Sequence, residues 1–112
     1  MLADVAGHAR RALAALLEGL QGVTLVGEVA DRAEIAAALR RCAADVLLID
    51  DRLLGSDDHL PTNLGAHRAG IRVIVLGVDD DPGFSARARR LGAEAWVAKD
   101  RAGDELPALL GD

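Results

Sequence analysis

Apolar residues follow two alternating patterns along this chain. In the first they recur at helical spacing, as in Leu13, Leu16, Leu17 and Leu20, and again in Ile35, Ala38, Leu39 and Cys42. In the second they form short, nearly unbroken runs rich in β-branched residues: Val23 to Val26, Val46 to Ile49, Val73 to Leu76 and Trp96 to Ala98. A strand with one solvated face alternates apolar and polar residues, whereas a strand covered on both faces does not. The runs therefore predict a parallel sheet with helices on each side. Met1-Leu2-Ala3 reads as a thin first strand. The order is then β-α repeated five times with both ends clipped. The fold expected is α/β: a flavodoxin-like, doubly wound, five-stranded parallel sheet in the order 2-1-3-4-5, with helices on both faces.

Local signals place several helix ends. Asp31 followed by Glu34 can satisfy the free N–H groups of a first turn. Asp81-Pro82 starts a later helix that carries Phe84, Ala88 and Leu91 inward and stops at Gly92. Residues 60 to 69 fall where a helix belongs, yet Pro61, Asn63 and Gly65 predict a short or irregular one. A last helix is predicted from about Asp104, with Pro107 near its start.

Composition narrows the possibilities. At 112 residues the chain is read as one domain, 1–112, with no output domain attached. Apolar residues make up 51% but aromatics only 2%, so the core is built from Leu, Val, Ile and Ala. A net charge of −5 argues against a basic surface for nucleic acid. Arg40-Arg41 and Arg87, Arg89 and Arg90 are read as solvated helix faces. The single cysteine, Cys42, allows no internal disulfide and fits a reducing cytoplasm. No apolar run has membrane-spanning length, and the first residues lack a signal-peptide plan. There is no P-loop, and Gly19, Gly22 and Gly27 do not form a dinucleotide fingerprint, so an enzyme is not expected.

Lys99 is the sole lysine among thirteen side-chain cations. It ends the run Ala95-Trp96-Val97-Ala98, at the carboxyl end of a predicted strand, where a compact ammonium on a long stem differs from an arginine. In an open parallel sheet, ligands gather at the carboxyl ends of strands beside a switch point in strand order. The polar residues at those ends are Asp4, Glu28, Asp50-Asp51 and Lys99. With the order 2-1-3-4-5, Asp4 and Asp50 face each other and Lys99 reaches in. Two carboxylates and an ammonium suit a divalent hard cation and a phosphoryl group. Plainer readings stand beside this one. Asp50 serves a turn after a buried strand, Lys99 is a strand-end charge, and Trp96 is the largest filler of an aromatic-poor core. His8, His59 and His67 lack metal-ligand spacing, and Asp79-Asp80-Asp81 caps the next helix.

Taken in order and spacing, these segments resemble the receiver domain of bacterial response regulators, closest to receivers of the LuxR/NarL type. The resemblance rests on Met1-Leu2-Ala3-Asp4, Leu25-Val26-Gly27-Glu28, Ala44 to Asp50 with Gly55 beyond it, and Gly92 to Asp100. It implies phosphorelay signal transduction tied to transcription regulation. Asp50 becomes the phospho-acceptor, and Lys99 pairs with the phosphoryl group. Asp4, Asp50 and the backbone carbonyl of Arg52 become ligands for Mg²⁺, and Gly77 and Trp96 take the switch positions. Implied partners are a histidine kinase or other signalling protein and a second copy of the chain, with no membrane and no direct nucleic-acid contact.

The sequence departs from the family at three positions. Val5 stands where a second acid is expected, which puts the metal in doubt. Gly77 replaces a hydroxyl residue, and Leu54 replaces a proline. Asp51 is a candidate substitute ligand, although adjacent strand residues point to opposite faces. The expectation is a degenerate receiver with weak or absent phosphotransfer. The alternative is a phosphorylation-independent module that binds partner proteins or a small ligand.

Overall fold

The computed structural model describes residues 1–3, 7–42, 45–53, 71–77, 82–90 and 92–110. Five strands run in parallel: β1 (Leu2–Ala3), β2 (Glu28–Val29), β3 (Val46–Asp50), β4 (Arg72–Gly77) and β5 (Ala95–Ala98). Their order across the sheet is β2-β1-β3-β4-β5. Among the described residues there are four α-helices: α1 (Gly7–Glu18), α2 (Ile35–Cys42), α3 (Pro82–Arg90) and α4 (Ala102–Leu110).

The unbroken apolar runs have the cause that the sequence suggested. Leu47 and Ile49 of β3, Val73 and Val75 of β4, and Trp96 of β5 enter one core cluster with Ile35, Ala38 and Leu39 of α2 and Ala88 of α3. The intervening Leu48, Ile74, Leu76 and Val97 enter a second cluster with Leu13, Ala14 and Leu17 of α1 and Leu106 of α4. Successive side chains of a strand point to opposite faces, so among the described residues each face of the sheet has its own helices and its own core.

The edge strand was misplaced by the sequence reading. The run Val23 to Val26 lies outside the ladder, and the paired residues are Glu28 and Val29. Pairing is set by β1, whose Leu2 lies opposite Glu28 and whose amide donates to the Gly27 carbonyl. Val23 and Leu25 instead lay their side chains against the α1–α4 cluster, while Val26 is exposed. Apolarity alone does not identify which residues of an edge segment find a ladder partner.

Helix ends follow the capping logic with two adjustments. The Asp31 carboxylate accepts a hydrogen bond from Ala33 N–H at 3.0 Å, and a 3₁₀ turn, Arg32–Glu34, precedes α2. Pro82 opens α3, and Gly92 ends it at φ +94°. There Gly92 N–H donates to the Arg89 carbonyl and Ala93 N–H to that of Ala88, the paired closing bonds of a left-handed C-terminal cap. The last helix starts at Ala102, directly after a 3₁₀ turn (Lys99–Arg101), so Pro107 falls inside it rather than near its start. The expected helix over residues 60 to 69 lies outside the described residues.

Candidate functional site

β3 and β5 end at the same edge of the sheet with β4 between them, so their ends are roughly two strand spacings, about 9–10 Å, apart. Asp50 is the last residue of β3 and continues the column of Leu48. Lys99 follows β5 and continues the column of Val97. The two side chains thus rise on the same face, and the four-carbon stem of Lys99 spans the gap. Lys99 Nζ donates to Asp50 Oδ2 at 2.8 Å, closing a contact between residues 49 apart in sequence. Asp50 is 1% exposed and is the one buried charged residue among those described. A carboxylate so deeply buried persists only with strong partners.

Arg52 supplies the others. The 3₁₀ turn Asp51–Leu53 folds the chain back directly after β3. Arg52 N–H donates to Asp50 Oδ1 at 3.0 Å, the short-range bond by which an aspartate shapes its own turn. Arg52 Nε and one terminal nitrogen donate to Oδ2 at 3.0 and 2.6 Å. The sequence reading gave Arg52 a role through its backbone carbonyl alone, whereas the structure brings its guanidinium onto the carboxylate. Strand parity does not foresee this, because Arg52 lies in a 3₁₀ turn, where residues three apart, not two, share a face. Asp51, in the same turn, does not remain across the sheet. Burial and the neighbouring Asp50 carboxylate push its carboxyl above the usual aspartate value, outweighing the opposing pull of Arg52 and Lys99.

On the other face of the same edge sit the two switch-position residues. Trp96 is 8% exposed and stacks on Phe84 of α3, ring centroids 4.8 Å apart and planes at 24°. Its indole crosses the end of β4 so closely that a β-carbon built on Gly77 would overlap Cζ2 and lie 2.6 Å from Cε2. Gly77 is therefore more than a missing hydroxyl: its bare backbone is the floor on which the indole rests. The Trp96–Phe84 stack carried no sequence signal beyond two lone aromatics.

Asp4, the remaining predicted ligand, lies outside the described residues, as do Val5, Leu54 and Gly55. Among the described residues no group of three or more His, Cys, Asp or Glu converges as a metal site. Mg²⁺ requires a near-octahedral set of oxygen ligands. The described donor set is one carboxylate engaged by two cations, with Asp51 beside it. The described carboxylates alone do not make up that set. A separate cavity opens at the opposite, amino-terminal end of the strands, against Met1, Leu17, Val23, Leu25, Val46 and Arg72. It contains none of Asp50, Lys99 or Trp96.

No family model and no curated protein matches the chain in sequence. Solved structures do match. The signal receiver domain of the response regulator NarL from Mycobacterium tuberculosis superposes with a TM-score of 0.81 at 25% identity, over 98% of this chain and 90% of that one. The chain has the fold of a LuxR/NarL-type receiver domain. The RcsB response regulator of Salmonella typhimurium matches at TM-score 0.77 and 26% identity. The receiver-like chain covers 56% of that protein's length. The isolated receiver domain of RcsB from Salmonella enterica, solved with the phosphomimetic BeF₃⁻, matches at 0.77 and 25% over 83% of its length. No helix among the described residues is long and apolar enough to cross a membrane.

Proposed function

We propose that this chain is the receiver of a two-component response regulator, with Asp50 as the position that takes a phosphoryl group and Lys99 as its partner cation. The observation that carries the reading is the 2.8 Å contact between Lys99 Nζ and a carboxylate buried to 1% exposure at the sheet edge where such folds bind ligands. In the transfer, an Asp50 carboxylate oxygen attacks phosphorus and the donor's leaving group departs. An acyl phosphate forms, and its new negative charge lies within reach of Lys99.

Transfer is slow in this reading. Gly77 supplies no hydroxyl to the phosphoryl oxygens, Val5 supplies no carboxylate, and both described cations already engage Asp50. Losing one transition-state contact of about 1.4 kcal/mol costs tenfold in rate. A histidine kinase is the proposed donor, the proposed setting is cytoplasmic, and the link to transcription follows the LuxR-family neighbours.

Beryllofluoride titration of the intact chain, read by emission of the sole tryptophan, tests the reading. A saturable change that disappears in Asp50→Ala and weakens in Lys99→Ala is expected. No response at saturating beryllofluoride, or a response unchanged in Asp50→Ala, contradicts it.

A further inference from the structure

Asp50 is surrounded by more positive charge than a single carboxylate needs. Oδ2 accepts from Arg52 Nε at 3.0 Å, from an Arg52 terminal nitrogen at 2.6 Å and from Lys99 Nζ at 2.8 Å. Oδ1 accepts from Arg52 N–H at 3.0 Å. The Arg52 side chain is itself 50% exposed, whereas the Asp50 side chain is 1% exposed and that of Lys99 15%. The guanidinium therefore sits between the carboxylate and solvent.

We infer that the Arg52 guanidinium is the resident counter-cation of Asp50, so that Mg²⁺ competes with Arg52 for this carboxylate instead of completing the site. The inference rests on the reading of Asp50 as the functional carboxylate. Its physical basis is the mismatch between the ion and the donors described above. Mg²⁺ gives up water reluctantly and holds a site through several oxygens. Arg52 needs only one carboxylate, is held in place by the turn it belongs to, and stays protonated across any working pH. Charge supports the same assignment. Among the described residues Asp50 faces two cations, Arg52 and Lys99, and the neighbouring Asp51 carboxyl is shifted toward its protonated form, so a dication would add positive charge to a carboxylate already engaged by it. Removing the guanidinium would create the negative imbalance that draws Mg²⁺ in.

Calorimetric titration of Mg²⁺ into the intact chain, paired with thermal unfolding with and without Mg²⁺, tests the inference. The wild type is expected to bind weakly and to unfold at a temperature that Mg²⁺ does not move. Arg52→Ala is expected to unfold at lower temperature, to recover with Mg²⁺, and to bind the ion at least about tenfold more tightly. Arg52→Lys, which keeps a cation, should behave as the wild type does. Arg52→Gln keeps N–H donors while losing the charge; it should gain affinity for Mg²⁺ even where the alanine variant fails to fold.

Equal Mg²⁺ affinity in wild type and both neutral variants overturns the inference, as does firm Mg²⁺ stabilisation of the wild type. Either result leaves phosphotransfer to Asp50 untouched. Conversely, a chain that never accepts a phosphoryl group removes the receiver reading but does not alter this readout, which is ion binding alone.

Discussion

Gly77 and Trp96 have to be read as a pair. Restoring any side chain at position 77 puts an atom inside the indole ring, because even a β-carbon lies 2.6 Å from Cε2. The ring must then leave its stack with Phe84 or the end of β4 must shift. Gly77→Ala is expected to destabilise the chain by about 1–3 kcal/mol, the usual cost of overfilling a packed core. Denaturant unfolding checks the magnitude, and a red-shifted tryptophan emission checks that the ring has moved toward water. An unshifted spectrum with unchanged stability would mean the indole does not rest on Gly77. Asp50 illustrates a different residue-scale fact. Its chemistry is set by what the next two positions do: the turn brings Asp51 beside it and Arg52 onto it.

At the scale of elements, the ends of strands and helices are joined by polar contacts that the apolar core does not provide. Arg72, the first residue of β4, donates through Nε to Glu94 at 2.8 Å and through a terminal nitrogen to the Leu109 carbonyl at 2.7 Å. It thus ties β4 to the approach to β5 and to the end of α4. The hydrogen bonds from Arg72 hold the Glu94 carboxyl below the usual glutamate range. A carboxyl lowered on folding contributes stability above its unfolded pKa and loses it as pH falls through the lower, folded value. Arg72→Ala should therefore cost up to about 1 kcal/mol near neutrality, the range for an exposed ion pair. The deficit should shrink toward zero in acid and in high salt. Urea unfolding at neutral and acidic pH checks the trend, and a pH-independent deficit would point instead to the Leu109 contact.

The same scale shows what the sequence made legible. Helices α1, α2 and α3 and strands β3, β4 and β5 were visible because each carries an apolar period or run long enough to be distinctive. β2 was not, since its two paired residues, Glu28 and Val29, follow a more apolar stretch that has no ladder partner. Pro107 suggested a helix start, but a 3₁₀ turn from Lys99 had already launched α4 at Ala102.

For the whole molecule, the site was legible only in part and for a topological reason. Asp50 and Lys99 could be paired from sequence because strand ends in a parallel sheet share one edge, and the long lysine stem bridges two strand spacings. The Arg52 guanidinium escaped that reasoning because a turn, not a strand, aims it. The described residues form a receiver-like sheet, with helices on both faces, around a carboxylate already engaged by protein cations.

That engagement makes slow, partial phosphorylation at one residue the central expectation. Intact mass after incubation with acetyl phosphate, compared between the wild type and Asp50→Ala, tests it most directly. The account expects a minor, slowly growing species heavier by one phosphoryl group in the wild type and none in the variant. Rapid complete conversion, no conversion at all, or an increment that survives in Asp50→Ala would contradict it.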